Sequence, residues 1–282
     1  MHDVYITIDV EDWFQVENLR PSFPLSTWDK QEWRVEANVN LLLEMLDRHA
    51  CRTTFFVLGQ VAERFPHIVK NIVNNGHELA SHGYNHVLLY EMDSEAITTD
   101  LKRSKAILED ISGKEVFGYR APSFSVNDEN IEIIRSAGYR YDSSYNDFGG
   151  HDRYGTLELA QWTKKRAGVY EHPDDNFFEI PIQNLRMFGS VIPWGGGGYF
   201  RMIPWPFFKR GIAHIIEQSP YIFYLHPWEI DPGQPRVSGL SFTSRLRHYT
   251  NLSKVEGRLG KLMEAFSPSQ TMSDLVGCLD KE

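Results

Sequence analysis

The sequence predicts an incomplete (β/α) barrel of about seven strands in a single α/β domain, and three observations carry that reading. Short β-branched and aromatic runs alternate with segments of helical period through the first 145 residues, the rhythm of a parallel sheet with helices outside it. Residues able to do chemistry fall at the C-terminal ends of those runs, where parallel α/β folds build their sites. The rhythm then breaks at 146–204 and resumes near 205, so the cycle is interrupted before it closes. A doubly wound open sheet is the alternative.

Element by element, "VYITIDV" (4–10) reads as the first strand. Val35, Val39, Leu42, Leu43 and Leu46 recur at helical spacing after a polar loop. "TTFFVLG" (53–59) is a second buried strand, and Val61, Phe65, Ile68, Val69, Ile72 and Val73 mark a helix that stops near Gly76. "HELASH" (77–82) is a short third strand. Ile97, Leu101, Leu108 and Ile111 mark a helix capped by Asp93 or Ser94. "EVFGYRAP" (115–122), a helix over about 127–138 and "YRYDSS" (139–144) complete the regular part. Residues 146–204, with "GGGG" (195–198) and the strand-like "FFEIPI" (177–182), read as an insertion of loops and hairpins within one domain over 1–282. A helix near 205–218, the strand "YIFYLH" (221–226) and a helical tail over 253–282, with its helix near 253–266, follow.

Composition narrows the function classes. Hydrophobic content of 41% and charged content of 24% suit an ordinary globular protein that can bury a sizeable core. The net charge of −9 argues against a nucleic-acid partner, which would need a basic stripe. Cys51 and Cys278 lack any C-x-x-C spacing, which fits a reducing compartment better than a disulfide framework. The opening "MHDVYITIDVEDWF" has no basic segment followed by an apolar run, and no window approaches a transmembrane length, so a cytoplasmic location is expected. The four-glycine run lacks the Lys-Ser/Thr of a phosphate-binding loop.

The strand ends gather one chemical set: Asp9, Glu11 and Asp12, then His82 and His86, then Arg120, Asp142 and His226. Two imidazoles plus one carboxylate are a common three-ligand set for catalytic Zn²⁺. His82 and His86 reach the same side if the backbone after His82 turns helical. A bound metal acidifies water and polarises a carbonyl, a further carboxylate accepts the water proton, and an arginine keeps that carboxylate ionised. A protonated histidine can then serve a leaving amine. Together these parts describe a hydrolase of an amide or ester. Trp13, Trp194, Trp205 and Trp228 suit either sugar stacking or core packing.

In order along the chain, "TIDVED" (7–12), "SHGYNH" (81–86), "RAPSF" (120–124), "YDSSY" (141–145) and "YLHP" (224–227) resemble the five motifs of the polysaccharide deacetylase family, the NodB-homology carbohydrate esterases. The resemblance implies a NodB-like barrel and one divalent metal ion, Zn²⁺ with Co²⁺ or Ni²⁺ as alternatives. It implies Asp9 as general base, His82 and His86 as metal ligands, Arg120 as the group orienting Asp9, and His226 as general acid tuned by Asp142. It also implies a backbone N–H of Ser123 at the oxyanion and Leu225 against the acetyl methyl. The family's adjacent acid pair is replaced by Asp9-Val10-Glu11-Asp12. On an extended strand Asp9 and Glu11 face the same side, whereas Asp12 serves if the strand ends at Asp9, so the third ligand is Glu11 or Asp12. "PWGGGGYFRMIPW" (193–205) and "DVEDWF" resemble a subgroup associated with exopolysaccharide loci. The implied substrate is an N-acetylated glycan, as polymer or lipid-linked precursor. A peptidoglycan deacetylase, an allantoinase-like hydrolase and a non-catalytic glycan-binding relative are the rivals.

Overall fold

A computed structural model describes residues 2–148, 154–187 and 189–277; Cys278, with its expected lack of a disulfide partner, and the end of the predicted tail lie outside them. The strands are β1 (Val4–Val10), β2 (Thr54–Val57), β3 (Glu78–Ser81), β4 (Gly118–Tyr119), β5 (Tyr141–Asp142), β6 (Thr163–Arg166), β7 (Val169–Glu171), β8 (Phe178–Glu179), β9 (Leu185–Met187), β10 (Ser190–Ile192) and β11 (Tyr221–Leu225). The helices are α1 (Val35–Arg48), α2 (Gly59–Arg64), α3 (Pro66–Asn74), α4 (Ser94–Ser112), α5 (Asp128–Ser136), α6 (Gly197–Met202), α7 (Trp205–Ile215), α8 (Phe242–Tyr249), α9 (Val255–Phe266) and α10 (Met272–Gly277).

The main sheet has nine strands in the order β11-β1-β2-β3-β4-β5-β8-β7-β6. All neighbours from β11 to β8 pair in parallel, while β7 and β6 add antiparallel at one edge. Removing those two leaves seven parallel strands, and their chain order is cyclic: β1 to β5, then β8, then β11 beside β1. A doubly wound sheet would reverse its winding at a switch point; this one does not. It is a distorted barrel open between β8 and β11. Part of the segment expected as a loop insertion is therefore a barrel strand. Its "FFEI" run pairs with β5 because Phe178 and Ile180 have the barrel interior to fill.

The pleat sorts each strand between two cores. Val4, Ile6, Ile8 and Val10 of β1 face the helices, with α1 and α3 beyond, while Tyr5 belongs to the inner cluster with Phe56, Tyr141, Phe178 and Ile222. α10 packs Met272, Leu275 and Val276 into that inner cluster and plugs the N-terminal end of the barrel. Helix α4 starts where expected, with the Asp93 side chain accepting from Ala96 N at 2.8 Å.

His77, at the N-terminal end of β3 and away from the strand-end rim, packs on Phe55 with ring centroids 5.3 Å apart. Burial, aided by Arg52, lowers its imidazole from 6.5 to about 4. The ring is neutral in the fold and protonates below about 6.5 in the unfolded chain. Its contribution to stability is thus fully present above pH 6.5 and is lost as the pH falls toward 4, by about 1–2 kcal/mol. Urea unfolding across that window should show the loss, and His77→Phe should flatten it; an identical acid slope in the variant would refute the assignment.

Candidate functional site

Residues 5, 7, 9 and 11 all point inward by the two-residue period of β1, so Asp9 and Glu11 share one face as the sequence predicts. Asp9 is held by the buried Arg120, whose Nη1 donates to Asp9 Oδ1 at 2.8 Å and to Thr7 Oγ1 at 2.7 Å. Arg120 is itself fixed by donating from Nε to the Ser143 carbonyl at 3.0 Å and from Nη2 to Ser143 Oγ at 3.1 Å. Its guanidinium lies 4.1 Å from the Phe56 ring centroid.

Glu11, His82 and His86 form a buried group whose candidate donor atoms all lie within 4.8 Å of one another. The two histidines do not ride a helix, contrary to the condition set by their spacing. Left-handed turns at Gly83 (φ 77°) and His86 (φ 54°) fold the loop back and bring the rings to 5.3 Å. His82 Nδ1 faces the Arg120 carbonyl at 2.8 Å, which fixes that nitrogen as donor and leaves Nε2 for the site. Burial lowers the His82 imidazole to about 4, so it is neutral and fit to ligate. Glu11 Oε2 lies 2.8 Å from His86 Nε2 yet is a buried oxygen without a hydrogen bond. Burial raises the Glu11 carboxyl, but His86, His226 and His82 outweigh it and hold it at about 2. An anionic carboxylate grouped with the neutral His82 imidazole and the ring of His86 is a donor set that fits a divalent cation.

Asp12 does not join this group. Its Oδ2 accepts from Arg34 N at 2.6 Å and Val35 N at 2.9 Å, and Oδ1 accepts from Trp13 N at 2.8 Å. It caps α1, whose own N-cap residue Arg34 offers no side-chain bond. That role turns the carboxylate away from the histidines, and the third member is Glu11.

His226 stands at the cavity end of β11, with Nε2 3.4 Å from Glu11 Oε1 and 4.0 Å from Asp9 Oδ2. Asp142 does not tune it. Asp142 and Glu179 are opposite one another on β5 and β8 and face away from Tyr141 and Phe178, outside the barrel interior. There burial raises both carboxyls, and Asp142 also accepts from Ser144. The partner of His226 is Glu229, whose Oε1 is 2.9 Å from His226 Nδ1. Glu229 Oε2 accepts from Arg201 Nε at 2.8 Å, and Arg201 is locked by donating to the carbonyls of Arg247, His248 and Thr250. Burial lowers the His226 imidazole, but Glu11, Glu229 and Asp9 outweigh it and raise it to about 9. Sequence reasoning missed Glu229 and Arg201. The signal for Glu229 was its place three residues after His226, the spacing of a capping box; nothing local pointed to Arg201.

The resemblance also placed Leu225 against substrate, and the pleat overturns that. Leu225 lies with Tyr221 and Phe223 in the core facing the helices, whereas Tyr224 and His226 line the cavity. Ser123 lines the cavity in a left-handed conformation at φ 51°. Trp228 also lines it, stacks on His226 at 5.4 Å and donates from Nε1 to Glu11 Oε1 at 3.3 Å. Trp194 instead stacks on Phe208 in the core, and Trp13 packs in a smaller cluster with Phe14, Trp28 and Trp228 behind the site. The cavity, about 360 Å³, is walled by Phe124, Tyr154, Tyr199, Tyr224 and Trp228. Such flat faces suit a sugar ring.

Residues 19–141 match the polysaccharide deacetylase family, and residues 143–276 match a domain of unknown function, DUF3473. A peptidoglycan deacetylase-like protein of Gibberella zeae is 34% identical over 116 residues, which is 40% of this chain and 33% of that one. A peptidoglycan deacetylase of Helicobacter pylori is 31% identical over 115 residues, 40% of this chain and 39% of its own. The match thus spans a third to two fifths of those relatives. Among solved structures, a candidate polysaccharide deacetylase of Mycobacterium smegmatis has a TM-score of 0.64 at 19% identity, over 99% of this chain and 90% of that one. A CE4 family pseudoenzyme of Bacillus anthracis has a TM-score of 0.51 at 15% identity, over 98% of this chain and 66% of that one, so this fold alone does not guarantee activity. The distorted barrel, the ordered motifs on its rim and the match over residues 19–141 agree: that part of the chain is a polysaccharide deacetylase domain.

Proposed function

We propose that the protein is a metal-dependent N-deacetylase that removes acetyl groups from N-acetylhexosamine units of an exopolysaccharide or its lipid-linked precursor. The observation that carries this is the convergence, on one cavity wall, of the Glu11–His82–His86 group, an Arg120-held Asp9 and a Glu229-held His226. Glu11, His82 and His86 would hold a divalent cation, Zn²⁺ in the first instance, whose Lewis acidity would acidify water and polarise the acetamide carbonyl. Asp9, held in place by Arg120, accepts the proton of the attacking water. The Ser123 backbone serves as donor to the tetrahedral oxyanion. His226, its Nδ1 anchored by Glu229, gives the Nε2 proton to the departing nitrogen as the C–N bond breaks. The products are acetate and the free amino sugar.

The test is acetate release from N-acetylglucosamine and N-acetylgalactosamine oligomers by metal-loaded protein. Chelation should abolish release, and added Zn²⁺ should restore it. A metal-loaded protein that releases no acetate from any N-acetylated glycan would overturn the proposal and favour a glycan-binding role.

A further inference from the structure

Among the described residues, no helix is long and apolar enough to cross a membrane, yet one face of the molecule has the chemistry of a membrane-surface contact. Between Asp231 and Glu256 the chain holds no acidic residue and carries Arg236, Arg245, Arg247 and Lys254, in a protein whose net charge is −9. Within that stretch α8 turns its large apolar side chains outward: Phe242 is 73% exposed and Leu246 48%. They stand one helical turn apart and so share a face. Arg236 lies over the Tyr249 ring at 4.3 Å, and with Arg245 it flanks a shallow depression containing Phe242 and Leu246. Among the described residues none of Arg236, Arg245 and Arg247 pairs with a carboxylate. Arg247 and His248 of the same helix line the catalytic cavity, together with the half-exposed Met202.

We propose that α8 and the loop before it seat the protein on an anionic lipid surface, Phe242 and Leu246 entering the headgroup region and the arginines meeting its phosphates. Exposed apolar side chains ringed by cations are the arrangement that interfacial segments use. An acidic glycan would engage the arginines but leave Phe242 and Leu246 in water. A second copy on the same patch would bring like-charged arginines together. The cavity mouth, sharing Arg247 and His248 with this helix, then opens beside the lipid headgroups, where a lipid-linked glycan would present its sugars. This deepens the deacetylase reading, but lipid binding is measurable without turnover, so the two stand or fall separately.

The experiment is flotation of the full chain with vesicles of phosphatidylcholine alone or mixed with phosphatidylglycerol, at low and high salt. Binding to the anionic vesicles, weakened by salt, is expected. Arg236→Gln and Arg245→Gln should each lower affinity by roughly fivefold, and Phe242→Ser with Leu246→Ser should lower it at least tenfold. These side chains are solvent-exposed, and unchanged circular dichroism would verify that the variants fold. Absence of binding to anionic vesicles overturns the proposal. So does binding indifferent to Phe242→Ser/Leu246→Ser, or a dimer in sedimentation that those substitutions dissociate.

Discussion

Glu11→Ala is expected to cost the protein its metal, while Asp12→Ala, one residue along, is expected to keep the metal and lose stability. Glu11 Oε2 is the buried oxygen facing His86 Nε2 at 2.8 Å, and no other carboxylate is grouped with the two histidines among the described residues. Its removal leaves two imidazoles, so affinity should fall by more than the roughly 10–100-fold that loss of an outer partner produces. Asp12 accepts three backbone N–H groups, two of them at the start of α1. Alanine there strands buried donors and should cost about 1–3 kcal/mol. Elemental analysis and urea unfolding of both variants provide the comparison. Metal lost from Asp12→Ala and retained by Glu11→Ala would reverse the assignment.

Glu229→Gln should lower kcat by about 10–100-fold with KM little changed, because it acts through His226 and does not bind the sugar. The carboxylate meets His226 Nδ1 at 2.9 Å and is anchored by Arg201 at 2.8 Å, so the amide keeps the shape but drops the charge that favours a protonated ring. Asp142→Asn should alter kcat only slightly, since Asp142 shares its buried site with Glu179 on the far side of β5. Acetate-release kinetics on both variants separate the two acids. If Asp142→Asn were the damaging change and Glu229→Gln the mild one, the assigned pairing would be wrong.

Much of the site was legible because strand geometry is local. A period of two put Asp9 and Glu11 on one face, and the ends of β1, β3, β4 and β11 supplied Asp9, His82, Arg120 and His226 to one rim. The same period places Tyr224, not Leu225, beside His226, an inference available from the sequence that motif resemblance obscured. Helical spacing misdescribed His82 and His86, since two left-handed residues, not a helical turn, bring them together.

By itself the sequence determined the βαβα order, the faces of the long strands and the set of residues offered to the rim, all consequences of short-range periodicity. Only the tertiary structure decided which of those residues meet. Asp12 went to α1 because an uncapped helix end 22 residues away needed an acceptor. Asp142 went to Glu179 because β8, from a segment that read as an insertion, took the place beside β5. Glu229 gained its anchor because α6 carries Arg201 across to it from 28 positions earlier in the chain. Such pairings depend on where the curved sheet brings distant segments, and no local pattern encodes that distance.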